Sequence, residues 1–410
     1  MARDDRRPSP VRIVNVDVDH LDDPILTDAP DGTRIWLEVS RRGQVVGTRA
    51  ASCHGGRVDQ TSRDDVVRLF ADAPTQDLSV VPDDRLPTVT VVVPTIFARR
   101  ELIERTIDSI TASHYPHLEV LLVDNRTAPD TPIPPFPDAP QVRIISEPTP
   151  GVSAARNRGI RESGGEVIAF TDDDVEVDSD WVRAIAVAFA TNPDLDVVGG
   201  MVRPRVLETE PQLWFEEFFG GFTKSFQPRT WTVAEESVSD PLFPYDAGRF
   251  GAGNNIAVRR RVVELVGGFD VRLGVGTPTK SGEDLLFFIE VLLRGGTVGY
   301  VPSALVRHTH RATAREFRTQ VFNYGIGLTA MFTALIVEDP RHLWRILRRL
   351  PRGLKTFFFP KEPKSLSETT SFPRTTMPVH ALGMVVGPIA FCWSAVQMRG
   401  RRVPVVRNDR

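Results

Sequence analysis

The stretch TVTVVVPT, residues 88–95, decides the architecture. Val89, Val91, Val92 and Val93 leave no alternation of apolar and polar residues, so the run reads as a strand covered on both faces. A helix follows, with Leu102, Ile103, Ile107 and Ile110 on one side. LEVLLVDN (118–125) is a second buried strand and QVRIISE (141–147) a shorter third. SAARNRGIRES (153–163) is a helix and EVIAF (166–170) a fourth strand. Strands alternating with helices predict an α/β domain with a mostly parallel sheet. Ligands of such sheets bind beyond the carboxyl ends of the strands. Pro94-Thr95, Asp124-Asn125 and the acid run Asp172-Asp173-Asp174 all fall at strand ends. One cleft collects them.

Working outward, residues 1–86 read as a small accessory α+β module. VNVDVDH (14–20) alternates as a half-buried strand does. RIWLEVSRRGQVVGTRA (34–50) reads as a hairpin turning near Arg42-Gly43. TSRDDVVRLFADA (61–73) reads as a helix with Ser62 as N-cap. VPDDRLP (81–87) marks the boundary to the α/β domain at 87–315. Beyond it, 316–410 is a helical region in which apolar segments alternate with basic ones.

Charge separates these parts. The 410 residues carry a net −3, yet Arg341 to Arg410 holds 14 Lys/Arg against 3 Asp/Glu, leaving −14 elsewhere. An acidic body with a basic tail argues against nucleic-acid binding and for a local anionic partner such as a membrane surface. Cys53 and Cys392 form no metal motif or disulfide framework, as expected in a reducing compartment. The N-terminal MARDDRRPSP has no apolar core, so no secretory signal is expected.

The acid run carries the chemistry. In extended chain Asp172 and Asp174 point one way and Asp173 the other. Such a pair suits Mg²⁺ or Mn²⁺; the alternative is a solvated acidic turn before the next helix. GEDLLFFIEVLLRGG (282–296) places Glu283 and Asp284 at a helix start, where acids are favoured by the dipole or serve as a general base. GAGNNIAVRR (251–260) lacks a dinucleotide fingerprint's third glycine. It is either a tight turn or a close backbone approach to a sugar. Trp214, Phe215, Phe218, Phe219 and Phe222 belong to a core helix or to an acceptor or lipid surface.

The order VVVPT, VLLVDN, GVSAARNRG, FTDDDV, GAGNN, GGFD, GEDLLF and RHTH resembles family-two glycosyltransferases of the GT-A fold. The resemblance covers roughly residues 88–315. It implies a GT-A, nucleotide-diphospho-sugar transferase fold. It implies a metal-dependent inverting transfer from a nucleotide-diphosphate sugar, of UDP type, to a glycan, glycolipid or polyprenyl-linked hydroxyl. Pro94, Thr95, Arg99, Asp124, Gly151, Arg156, Asp172 and Asp173 would hold the donor. Asp172, Asp174 and His308 would hold Mn²⁺ or Mg²⁺. Asp284, with Glu283, would be the catalytic acid pair, and Gly253, Asn255 and Trp214 would meet sugar or acceptor. A nucleotidyltransferase would need a glycine-rich lysine loop that VVVPTIFARR lacks. A non-catalytic sugar-nucleotide binder or scaffold would not need both Asp174 and Asp284.

In the tail, Leu343, Ile346, Leu347 and Leu350 share one face of a helix with seven Lys/Arg and no acid over 341–361. That pattern reads as a membrane-surface segment, or as a helix packed on the catalytic domain. Residues 375–398 contain no Asp, Glu, Lys or Arg, enough to span a bilayer. Their polar content favours an interfacial helix. The expected location is the cytoplasm, peripherally on the inner face of the plasma membrane.

Overall fold

The computed structural model describes residues 11–21, 23–113, 115–128, 141–218, 220–234, 242–358, 373 and 375–399. Phe219, Phe359 and the basic stretch from 400 onward lie outside the described residues.

The first module pairs β1 (Arg12–Asp17), β2 (Arg34–Arg41), β3 (Gln44–His54) and β4 (Arg57–Val58) into one sheet, with α1 (Gln60–Phe70) on it. The expected hairpin turns at Arg42 and Gly43, whose φ values of 48° and 75° match a tight two-residue turn. The N-cap is Asp59, not Ser62: the Asp59 carboxylate accepts from the Ser62 backbone N–H and hydroxyl, so the helix starts earlier than expected. The module is not free-standing. Glu38, 1% exposed, reaches out of β2 to accept from Arg203 at 2.9 Å and from Arg307.

The second, larger sheet is nine-stranded among the described residues. It contains β5 (Val89–Thr95), β6 (Leu118–Asp124), β7 (Val142–Ser146), β8 (Val167–Thr171), β9 (Val175–Val177), β10 (Val197–Pro204), β11 (Arg229–Trp231), β12 (Asn255–Arg259) and β13 (Val298–His308). Its order is β11-β13-β10-β12-β8-β5-β6-β7, with β9 added against β13. β5, β6, β7 and β8 are parallel, β10 and β13 are parallel, and β12 runs antiparallel between β8 and β10. The sheet is thus mixed rather than purely parallel.

Helices cover both faces: α2 (Arg100–Thr111), α3 (Val152–Glu162), α4 (Trp181–Thr191), α5 (Glu210–Phe218), α6 (Arg260–Val266) and α7 (Glu283–Leu293). Val91 and Val93 face the side of α2 and α4, while Val92 faces that of α3 and α7; all three are 0% exposed. Each such valine contributes about 1.5–3 kcal/mol by burial. The expected mixed α/β domain with a central sheet and a helical C-terminal region is what forms.

That region comprises α8 (Ala314–Glu338), α9 (Arg341–Phe358) and α10 (Thr376–Gln397). A Thr313–Glu316 capping box starts α8. α10 lies along α8 through Gly383 and Gly387, where Thr329 Oγ1 donates to the Met384 carbonyl at 2.7 Å. A Cβ at Gly383 would strike the Phe322 carbonyl, and one at Gly387 the Thr329 hydroxyl. The other face of α10 exposes Leu382, Val385, Ile389, Trp393 and Val396, each at least 59% open. Both α8 and α10 are long and apolar enough to cross a membrane by length and composition. α8 buries Phe317, Val321, Ala330 and Leu335 within the domain.

The glycine contacts generate one prediction. Leucine at position 383 or 387 should force α10 from α8 and destabilise the chain by ~1–3 kcal/mol through overpacking. Thermal melts of Gly383→Leu and Gly387→Leu check it; unchanged melting would mean that the two helices do not pack through these glycines.

Candidate active site

Strand register builds the site. β5, β6, β8, β10 and β13 end on one edge, and β12 begins there. Pairing of Thr171 with Asn255 sets the acid run beside Gly253-Asn254, and Thr171 Oγ1 donates to the Asn254 carbonyl at 3.0 Å. Pairing of Val175 with His308 puts Asp174 against the end of β13. The three aspartates therefore line one rim with Thr95, Asp124 and His308.

Each acid has its own partner. Asp173 accepts from the Thr95 hydroxyl at 2.6 Å. Asp174, 8% exposed, accepts from Arg99 at 2.9 Å through Oδ2, while Oδ1 faces His308 Nε2 at 3.7 Å. Asp172 accepts from Arg156 at 3.3 Å and keeps 38% of its side chain open to the cleft. Burial pushes the Asp172 carboxyl up to about 7; Arg156 opposes this, and Asp174, Asp173 and Glu283 add repulsion. Its open surface weakens that push.

Arg156 is the keystone. Its side chain is 2% exposed and sits over the Phe269 ring at 5.3 Å. It donates to Glu283 Oε1 at 2.9 Å, to Asp172, and to the Gly253 carbonyl at 3.0 Å. Gly253 is glycine for a spatial reason: a Cβ there would lie 3.0 Å from the guanidinium and 3.1 Å from Asp284 Cβ. Arg156 thus supports the cleft floor from inside, and its guanidinium is spent on protein partners rather than left open to the cleft.

The pair at the start of α7 divides. Glu283 turns inward onto Arg156 and is 6% exposed, which sets it apart from its neighbour in the expected catalytic pair. Burial and the neighbouring Asp284 raise its pKa against the pull of Arg156. Asp284 stays half-buried at the cleft. Its Oδ2 accepts the Gly253 N–H at 2.7 Å and its Oδ1 the Leu285 N–H at 2.8 Å. These bonds fix the carboxylate in one orientation.

Other expected contacts redistribute. Asp124 is bound by Arg126 through both oxygens at 2.9 Å, so any base contact shares this carboxylate with a guanidinium. Gly151, at φ 120°, donates its N–H to Asn125 Oδ1 and abuts Thr277, where a side chain would crowd. Asn255 is 1% exposed and spends its amide on Trp181 Nε1 and on the Met201 and Ala304 carbonyls; the fold, not a sugar, takes its hydrogen bonds. Trp214, 9% exposed, packs edge-on against Phe317 at 5.6 Å, the core-helix arrangement of the two the sequence allowed. Pro94 is half-buried at the end of β5, beside Thr95.

Sequence reasoning missed Glu216, His310 and Lys224. His310 Nε2 lies 2.7 Å from Glu216 Oε1. Lys224 lies in the fields of Glu216 and Asp284, and burial pulls its ammonium down to about 8 against them. Only the HxH spacing of His308 and His310 signalled any of this. Lys224 also lines a cavity of about 290 Å³ with Arg229, Trp231 and Arg249.

Among the described residues no three His, Cys, Asp or Glu side chains cluster to hold a divalent cation alone. Asp172 is drawn to Arg156, which leaves Asp174 Oδ1 and His308 Nε2 as the facing donors. One or two protein ligands, with substrate phosphates and water, fit Mg²⁺ or Mn²⁺. Burial pushes His308 down to about 4, against the pull of Asp174, and a neutral ring is the ligating form.

Comparison with known proteins follows this geometry. The chain is similar to a glucosyl-dolichyl phosphate glucuronosyltransferase of Haloferax volcanii, at 30% identity over 45% of this chain and 57% of that one. It thus spans little more than half of that relative's length. It is also similar to glycosyltransferase AglE of the same organism, at 26% identity over 79% of this chain and 98% of that one. A solved mannosyltransferase, PcManGT from Pyrobaculum calidifontis in complex with GDP-Man and Mn²⁺, matches at 18% identity over 80% of each chain, with a TM-score of 0.42. That likeness is too loose to transfer residue roles. The family model for glycosyl transferase family 2 matches residues 90–260. That span takes in the acid rim and the buried arginine, and over it the chain is similar to glycosyl transferase family 2.

Proposed function

We propose that the protein is a metal-assisted inverting glycosyltransferase that moves a sugar from a UDP-type donor to a hydroxyl of a lipid-linked acceptor. The observation that carries the reading is the orientation of Asp284. Two backbone N–H groups hold its carboxylate at the cleft, one of them from Gly253, whose carbonyl is held by Arg156. A carboxylate so fixed takes the proton of an attacking hydroxyl as that oxygen bonds to the anomeric carbon. The bond from that carbon to the diphosphate oxygen breaks with inversion, and the electron pair leaves with the nucleoside diphosphate. A bound Mn²⁺ or Mg²⁺ would supply charge stabilisation for that leaving group. Asp174 and His308 would hold it, and Arg99, on the outer oxygen of Asp174, adds a second positive charge nearby. Thr95, Asp173 and the Asp124–Arg126 pair would line the nucleoside side.

Two features support an anionic, membrane-linked acceptor. The cavity beside Lys224 gathers Lys224, Arg229 and Arg249, and Lys224 lies in the field of Asp284. The C-terminal helices expose Leu343, Trp344, Leu347 and Leu350 on basic α9, and Leu382, Ile389 and Trp393 on α10. A helix of that composition lies in an anionic interface with its apolar face down. The cytoplasmic face of a membrane, rich in anionic lipid, is the surface we assign to it. The Haloferax relative is named for transfer to a dolichyl-phosphate-linked glucose, in keeping with such an acceptor.

Asp284→Asn should lower transfer by about 10²–10⁴-fold while donor binding, read as a thermal shift, persists. Unchanged turnover would remove the base assignment. Asp174→Ala should abolish the extra thermal shift that Mn²⁺ gives with UDP-sugar, and a retained shift would move the cation elsewhere. For the membrane surface, flotation with anionic vesicles should recover the wild-type chain and lose Trp344→Glu/Leu347→Glu. Equal recovery of both, or of neither, would sink the surface reading.

A further inference from the structure

Three side chains form a line leading inward from Asp174. His308 Nε2 faces Asp174 Oδ1 at 3.7 Å. On the other side of its ring, Nδ1 lies 3.0 Å from His310 Nδ1. His310 Nε2 in turn lies 2.7 Å from Glu216 Oε1. The side chains are 9%, 3% and 4% exposed, and Phe215 and Phe222 close over the two rings at 4.7 and 5.5 Å.

Proton positions follow from donor and acceptor chemistry. An ionised carboxylate only accepts, so His310 Nε2 carries a hydrogen. A neutral His310 then has its lone pair on Nδ1, and the hydrogen between the rings belongs to His308 Nδ1. His308 Nε2 is left with a lone pair directed at Asp174. The opposite order, with an imidazolium at His310, would place an N–H on His308 Nε2. That N–H would close on the buried carboxylate to about 2.7–2.9 Å, whereas the gap is 3.7 Å. Two lone-pair donors face each other across that gap.

We infer that Glu216 and His310 are positioning residues that hold His308 in its Nδ1–H tautomer, so that His308 Nε2 and Asp174 Oδ1 together receive a divalent cation. The need for a cation rests on the glycosyltransferase reading; the proton order does not. Glu216 is itself fixed. A Cβ on Gly221 would collide with its carboxylate, and Gly221 takes φ +56°, which only glycine adopts freely. Lys224 donates to the Gly221 carbonyl at 3.2 Å and balances the charge of Glu216. The Asp174 carboxylate gives its outer oxygen to Arg99 and keeps the inner one for the site.

The proton order is read without metal, by long-range ¹⁵N NMR of histidine-labelled full-length protein, with His308→Ala and His310→Ala to assign the signals. The expected pattern is a protonated Nδ1 and an unprotonated Nε2 at His308; the reverse overturns the inference. Mn²⁺ binding without donor, followed by electron paramagnetic resonance, tests the consequence. Glu216→Ala should weaken it about 10–100-fold, as loss of a partner behind a ligand does. Glu216→Gln, whose amide oxygen still accepts from His310, should recover most of it. Equal Mn²⁺ affinity in folded Glu216→Ala overturns the positioning role. No Mn²⁺ binding by the wild-type chain overturns the cation site, whereas the transferase reading would still stand or fall on Asp284→Asn.

Discussion

A single buried guanidinium organises this active site. Arg156 holds Glu283 at the start of α7, Asp172 on the acid rim and the Gly253 carbonyl in one hydrogen-bonded cluster. Removing such a cation would strand Glu283 in a water-poor interior, a loss of the order of 3–5 kcal/mol for a broken buried pair. The arrangement also shows why the two acids of α7 differ. The inner one answers the arginine, and the outer one is left at the cleft with only backbone N–H groups to orient it.

The rim poses an electrostatic problem that is solved three ways. Asp172 leans on Arg156, Asp173 on a hydroxyl, and Asp174 on Arg99 and the His308 side. Three adjacent carboxylates repel, and each is drawn in a different direction by a group from a different element. Sheet register acts as the ruler. Shifting β9 by one residue against β13 would turn Asp174 away from His308. The geometry of the rim and the sheet pairing are therefore one constraint.

At the periphery, other polar links join the parts. Glu38 enters the catalytic domain from the first module, between Arg203 and Arg307, and Trp36 covers the Arg203 guanidinium at 4.9 Å. At the other end, α10 uses small residues to lie against α8 and leaves its bulky residues outward. The chain thus presents apolar surface on one side of a domain whose polar rim faces the cleft.

Much of the fold was legible in the sequence because its signals are local. An unbroken valine run declares a strand covered twice, and Arg42-Gly43 declares a tight turn. Helix-start acids declared Glu283 and Asp284, and the ordered motifs drew the rim together. What only tertiary structure decided was orientation. Sequence spacing could not say that β12 would run antiparallel, that Glu283 would turn inward and Asp284 outward, or that Asn255 would spend its amide on Trp181. Nor could it bring Glu216 to His310, 94 positions away. Such choices depend on which buried polar groups meet across elements, because each must find a partner once water is gone. A local pattern does not contain that information.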